Sequence, residues 1–259
     1  MAEDDDWIKV DLHIHTLDDP KDALDYSAHE LLERARALGF RVLAITLHDA
    51  VFDRAEVFAD AASMGILLIP AAEVRLEGAD VILLNVRANE IESLRTLGDL
   101  EKLRAARGPS LFTIAPHPFY PGRTGLHERL EREIDLFDAI EWSHFWSRRF
   151  DRWNRRAAEV ARRARKPLIG TSDVHRLDQL GLTYTLVDAL DRSPEGILRA
   201  VRAGRTHVIT KPLSEVRLAW ILGRIVLGNR LGRRVRPESE PAPALGALTR
   251  TRPQASLQM

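Results

Sequence analysis

The chain has 259 residues, 45% of them apolar, with 38 Lys plus Arg balanced by 38 Asp plus Glu and no Cys. That length and apolar content suit one large globular domain or two small ones and exclude a disordered chain, while the lack of Cys excludes disulfides and thiolate chemistry and leaves any metal to His and carboxylate ligands, favouring Zn, Mn or Fe over Cu(I). Zero net charge sets up no global field toward nucleic acid or an anionic membrane, no apolar run reaches the ~18–20 residues of a spanning helix, and the acidic start MAEDDDW lacks the basic and apolar regions of a secretory signal, so a cytosolic protein is expected.

The first predicted strand, IKVDLHIH (8–15), ends on two histidines two residues apart. Strand alternation puts His13 and His15 on one face and Leu12 and Ile14 on the other. Taken alone, the pair reads either as two metal ligands or as one buried and one surface histidine at a strand end. A helix follows over Glu30 to Leu38, with Leu31, Leu32, Ala35 and Leu38 at helical spacing and Gly39 behind it. Then come the strand candidates RVLAITLH (41–48), ILLIPAAEV (66–74) and ADVILLNV (79–86). Ile91, Leu94, Leu97 and Leu100 stripe a second helix. SLFTIAPHP (110–118) and DAIEWSH (138–144) are strands, and Arg152 to Arg165 is a helix closed by Lys166-Pro167. PLIGTSD (167–173), TYTLVDA (183–189) and THVIT (206–210) complete the strands, with Ser193-Pro194-Glu195 opening a helix between the last two.

Apolar strands without alternation are buried on both faces, which predicts a parallel sheet covered by helices. Repeated strand–helix units with no internal repeat or linker predict one α/β domain over 7–215, closed or nearly closed as a barrel. Residues 216–236 are expected to form an amphipathic helix, its apolar stretch followed by Arg230, Arg233, Arg234 and Arg236. Its apolar face could lie on a membrane surface, but its three glycines favour packing on the barrel or a partner subunit. The Pro-, Ala- and Ser-rich residues 237–259 are expected to be disordered.

Chemistry in α/β folds gathers at strand C-termini. Of nine histidines, His13, His15, His48, His117, His144 and His175 fall at such ends, together with Glu73, Glu141 and Asp173. Buried imidazoles and carboxylates must pair with one another or bind metal, because each left alone costs several kcal/mol. A metal cluster is the stronger reading, and a purely structural polar network the weaker.

The segments DLHIHT, AITLHD, IPAAE, APHPF and GTSDVH resemble, in order and spacing, the motifs of the PHP (polymerase and histidinol phosphatase) family, from about Ile8 to Leu213. The resemblance implies a distorted (β/α)7 TIM-like barrel that holds two or three divalent ions (Mn, Zn, Fe or Mg) at the strand C-termini and hydrolyses phosphoesters. It implies that His13, His15 and Asp173 hold a first metal. Glu73 would bridge to a second, bound by His117, and His48 and His175 would hold a third with a carboxylate from the loop TLDDPKDALDYS, where Asp22 is preferred to Asp19. Two departures stand out. The family's TDH reads Thr46-Leu47-His48, removing a hydrogen-bond partner for a metal-binding His. Asp80 occupies the place of a frequent His ligand of the second metal and is expected to ligate in its stead, with His144 able to compensate.

Hydrolysis also needs a proton donor for the leaving alkoxide, for which Asp49 and His144 are the candidates, and arginines for phosphate, for which Arg123 and Arg176 are nearest the motifs. The run Phe145-Trp146-Ser147-Arg148-Arg149-Phe150 would either stack on bases or pack its aromatics on the barrel rim. Expected substrates are a small phosphorylated metabolite, a nucleotide or a short oligonucleotide, since zero net charge argues against long duplexes. A homo-oligomer is compatible with the sequence. The alternatives are hydrolysis of a non-phosphate bond, or a degenerate barrel that binds a partner without turnover, as Leu47 and Asp80 would suggest.

Overall fold

Helix starts in this chain are written by side-chain caps. Ser27 caps α1 (Ala28–Ala37), its hydroxyl accepting from the Glu30 N–H while the Glu30 carboxylate accepts from the Ser27 N–H. After β1 (Trp7–Ile14) and α1 come β2 (Val42–His48), α2 (Ala55–Ser63), β3 (Leu67–Leu68), β4 (Ala71–Leu76) and β5 (Ala79–Leu84). Pro70 splits the predicted 66–74 strand, its carbonyl accepting from Asn85 N at 2.7 Å. The predicted helix through Ile91 and Leu100 is two: α3 (Ala88–Ile91), then α4 (Leu97–Arg107) behind a new cap, Thr96, in a capping box with Asp99. β6 (Phe112–Ala115), α5 (Glu128–Arg132), β7 (Ala139–Ser143), α6 (Arg152–Ala164), β8 (Leu168–Thr171), β9 (Thr183–Asp188), α7 (Pro194–Arg202) and β10 (Thr206–Thr210) complete the order. α7 opens as the sequence predicts, with Ser193 as cap and Pro194 at the first helical position. The structure, a computed structural model, describes residues 7–220 and Gly223; the predicted tail 237–259, and all but the first turns of the predicted 216–236 helix, lie outside these residues. No helix among the described residues is long and apolar enough to cross a membrane.

The strands form one sheet in the order β10-β9-β1-β2-β4-β5-β6-β7-β8, with β3 also on β2. The sheet is mixed, which corrects the all-parallel expectation. β5 runs antiparallel to both its neighbours, as does β9 to β1 and β10. Glu77 (φ 50°) and Gly78 (φ 88°) link β4 to β5, and left-handed conformation at both central residues is what a tight hairpin turn of the right twist requires. The barrel nearly closes where β8 meets β9 and the end of β1. Thr185 Oγ1 accepts from Gly170 N and donates to Gly170 O, both at 2.8 Å, and Ile14 bridges Val174. Gly170 is required there, since a Cβ would lie 2.7 Å from Val208 Cγ1 and 3.0 Å from Tyr184 O.

Ile8, Val10, Leu12, Val42, Ala44, Ile82 and Ile114 pack with Ile197 and Val201 of α7 into one core, while α1 and α2 cover another built on Ile14, Leu43, Ile45 and Leu47. Leu12 and Ile14 therefore sit in different cores, against the alternation expected. The cause is a shift in the β1–β2 register between Asp11 and Ile14: Val10 pairs with Val42, but Ile14 pairs with Ile45. Such an irregularity re-aims the side chains that follow it, and here it sets His13 and His15 directly above the apolar barrel interior.

Candidate metal centre

Four ligand atoms converge above that interior. His13 Nε2 and His15 Nε2 lie 3.2 Å apart, and each is 3.3–3.4 Å from Glu73 Oε2 and from Asp173 Oδ1. Bonds of about 2.0–2.2 Å from one ion to N and O donors put neighbouring donors roughly 3.0–3.5 Å apart. The spacing fits one ion among the four.

Outer hydrogen bonds decide which ring nitrogen faces inward. His13 Nδ1–H donates to Glu141 Oε1 at 2.7 Å, and His15 Nδ1–H to Asp19 Oδ2 at 2.9 Å. Both Nε2 lone pairs are thereby aimed at the same point, an arrangement that only a cation or added protons can satisfy. Glu141 is fully buried and also accepts from His117 N and Thr171 Oγ1. Asp19, likewise buried, holds His48 through both its backbone N–H and Nδ1 at 3.0 Å, and gathers the loop by accepting from Lys21 N and Asp22 N. The partner that Leu47 cannot supply thus comes from Asp19, while Leu47 itself packs into the α1–α2 core.

Glu73 spans the cluster. Its Oε2 faces His48 Nε2 at 3.2 Å as well as the first group, and its Oε1 faces His117 Nε2 at 3.3 Å. His175 Nε2 meets Asp22 Oδ2 at 3.0 Å, and Asp22 also lies 3.7 Å from His48 Nδ1. The structure thus brings together His13, His15, Asp22, His48, Glu73, His117, Asp173 and His175. Three donor sets are compact enough for an ion: His13, His15 and Asp173; His13, Glu73 and His117; and His15, Asp19, Asp22 and His48.

Other predicted residues take different places. Asp80 belongs to none of these sets: Arg75 grips both its oxygens, Nε to Oδ1 at 2.7 Å and Nη2 to Oδ2 at 3.1 Å. Asp49 is tied to the rim of the barrel. Its N–H donates to Glu73 O, and its carboxylate accepts from Arg75 N and Lys21 Nζ, which occupies the proton-donor candidate with structural bonds. His144 is buried with neither ring nitrogen hydrogen-bonded among the described residues. Burial, outweighing the pull of Asp173 and reinforced by His175, His13 and Arg217, holds its pKa down to about 3. A neutral imidazole carries one N–H and one lone pair, so His144 has a donor and an acceptor to offer a ligand. Arg176 pairs with Asp178 at 3.3 Å and lies over the Trp220 ring at 5.0 Å, while Arg123 is exposed and pairs with none of the cluster's carboxylates. The aromatic run mostly packs on the rim: Phe145 is buried against Leu213 and Leu218, and Trp146 Nε1 donates to Thr210 Oγ1. The sequence placed Glu141 among the strand-end carboxylates without assigning it a ligand role, and it gave no role to Arg75 or Lys21.

Without metal, the cluster stores protons. Burial alone would lower the His117 pKa, but hydrogen bonding and charge from Glu73, with Glu141 and Asp173 behind, raise it to about 9. His13 and His15 are raised well above the ordinary imidazole value by Asp173, Glu73 and their outer carboxylates against the same desolvation, and Glu73 and Asp173 are held well below theirs by the facing histidines. A histidine raised on folding stabilises fully below its unfolded pKa, roughly 6.5, and ceases to as pH rises through the folded value. The metal-free protein is therefore expected to lose thermal stability between pH 6.5 and 9, by about 2–4 °C in Tm for each kcal/mol of linkage. Saturating metal should flatten that slope, since metal replaces the protons. Calorimetric melts with and without chelator check this, and a metal-free Tm that is level or rising over the same range would contradict the assignment of protonated histidines.

Comparison with known proteins bears on the fold. A family model described as PHP-associated matches residues 151–206. A two-domain protein from Bacteroides vulgatus, containing a predicted PHP-like metal-dependent phosphoesterase, superposes with TM-score 0.62 at 20% identity over 85% of this chain and 71% of that one. The chain has the PHP fold. Other proteins superpose on it as well: PsfC from Pseudomonas syringae (TM-score 0.59, 18% identity, 88% of this chain and 98% of that one) and the lesion-specific endonuclease EndoQ from Pyrococcus furiosus (0.55, 15%, 78% and 57%). No curated protein matches the sequence. The PHP fold expected from the motifs is borne out, and its distortion consists of the antiparallel β4–β5 hairpin and the antiparallel β9 and β10.

Proposed function

We propose that the chain is a metal-dependent phosphoesterase acting on a small phosphomonoester, a nucleotide or a short oligonucleotide. The observation that carries the reading is the convergence of His13 Nε2, His15 Nε2, Glu73 Oε2 and Asp173 Oδ1 with both histidine Nδ1 atoms already committed to carboxylates. In this reading His13, His15 and Asp173 would hold a first ion, Glu73 and His117 a second, and His48, His175 and Asp22 a third. His144, buried with neither ring nitrogen hydrogen-bonded among the described residues, stands outside the three compact donor sets. Divalent ions held there would supply an activated water and neutralise charge on the phosphoryl oxygens.

The chain's own residues do the rest. Glu141 and Asp19 fix the tautomers of His13, His15 and His48, so the donor atoms need not reorganise during the reaction. The apolar barrel beneath excludes water from below the cluster. Similarity in fold to a phosphoesterase-containing protein and to an endonuclease agrees with a phosphoester substrate.

The test is phosphate release by protein stripped of metal and reloaded with Mn, Zn, Fe or Mg, against nucleotides, a short oligonucleotide, and sugar and amino-alcohol phosphates, with bound metal counted on the same samples. Turnover with two or three metals per chain is expected. One metal or none, with no turnover, would favour the degenerate barrel.

A further inference from the structure

The cluster accounts for metal, and a substrate phosphate also calls for a cation. Arg123 and Arg176, the arginines nearest the motifs, are not delivered to it. The β4–β5 hairpin delivers another. Its register runs unbroken, with Glu73 opposite Ile82 and Arg75 opposite Asp80. Residues two apart on a strand share a face, so Arg75 stands on the face of β4 that carries Glu73, one step nearer the rim. Its guanidinium lies within electrostatic reach of Glu73.

Asp80 is buried, with 4% of its side chain exposed, and takes the guanidinium side-on through Nε and Nη2. A guanidinium has five N–H donors in a fixed fork. Two are committed to Asp80, and Nη1 has no partner among the described residues. The Arg75 side chain is 38% exposed, so the fork is open to solvent rather than enclosed. Arg75 also borders a cleft of about 480 Å³ on the outer side of the sheet, walled by Val74, Ile91, Glu92, Leu94 and Arg95. A buried carboxylate gripping a half-exposed arginine side-on is a device for aiming the other edge of the fork, and a fork edge matches two oxygens of a tetrahedral anion.

We propose that Arg75 is the phosphate anchor of this site and that Asp80 is its positioning residue rather than a metal ligand. The proposal deepens the phosphoesterase reading and rests on it. Arg75 replaces Arg123 and Arg176 in the role of phosphate contact, and the exchange of a histidine for Asp80 becomes an adaptation for holding Arg75.

The experiment is calorimetric titration of inorganic phosphate into the full-length protein, loaded with Mn and freed of excess metal, for the wild type and for Arg75→Ala, Arg75→Lys and Asp80→Asn, with metal content and melting temperature measured on each. Phosphate affinity is expected to fall about 10–100-fold in Arg75→Ala, as for loss of a charge-assisted pair, and to recover in part in Arg75→Lys. Asp80→Asn should weaken phosphate in the same direction while keeping the full metal count. Unchanged affinity in Arg75→Ala, no phosphate binding by the loaded wild type, or loss of one metal equivalent in Asp80→Asn would each overturn the proposal. Phosphate binding that depends on Arg75 in a protein that hydrolyses no phosphoester would instead leave the anchor standing and refute the phosphoesterase reading, so the two fail separately.

Discussion

Replacing His13 and His15 together by alanine is expected to abolish phosphate release, to below about a thousandth of wild type, and to remove at least one bound metal per chain. Both Nε2 atoms face Glu73 Oε2 and Asp173 Oδ1 at 3.3–3.4 Å, so the double variant strips two of four donors from the first site. Residues that act as one unit are strongly non-additive, and either single variant should already lose most of the activity. The loss should not come from unfolding. The double variant also deletes two protonated imidazoles from a buried site, but it leaves Glu73 and Asp173 facing each other without cations, which raises their pKa values. The metal-free variant should itself be less stable at pH 8 than at pH 5, because two uncompensated carboxylates must then ionise. Turnover, metal content and a melt at the two pH values decide the matter. Full activity with a full metal count would end the assignment of this pair as ligands.

The site was legible in the sequence to the extent that it hangs from strand ends. His13, His15, His48, Glu73, His117, Asp173 and His175 come together in the structure, His13, His48 and Glu73 from within β1, β2 and β4 and the others from just past strand ends. What depended on register was not legible. The shift between Asp11 and Ile14 sends Leu12 and Ile14 to different cores, and no alternation rule anticipates a shift of that kind. Strands buried on both faces read the same whether parallel or antiparallel, so ADVILL gave no sign that it runs against both neighbours. Without that hairpin nothing connects Arg75 with Asp80, and Asp80 read as a ligand because only its position along the chain was visible. Asp19 and Asp22 were close competitors for the same reason. A loop offers no period, and only the folded loop shows that Asp19 is the inner carboxylate gathering His15 and His48 while Asp22 turns to His175.

Glu141→Gln tests the outer hydrogen bonds, the part of the site that motif spacing did not reveal. Glu141 accepts from three donors, His13 Nδ1–H, His117 N–H and Thr171 Oγ1–H, and is itself fully buried. A glutamine keeps the shape but offers one acceptor oxygen and an NH2 group, so one of the three donors must face another donor in the barrel interior. It also removes the charge that keeps the proton on His13 Nδ1 and the lone pair on Nε2. Metal affinity or activity should fall about 10–100-fold, the usual size for an outer partner of a metal-bound histidine, and excess metal should restore part of the turnover because the ligands themselves remain. Metal titration followed at Glu141→Gln and at Thr171→Val separates the two roles of the carboxylate. Thr171→Val removes only one donor and should leave metal affinity within about threefold of wild type, whereas a Glu141→Gln protein that binds metal as tightly as wild type would mean that His13 is oriented by the strand alone. The distinction matters for the mechanism, because a strand can place an imidazole but cannot choose its tautomer; that choice needs an acceptor such as Glu141, reached across the barrel from β7.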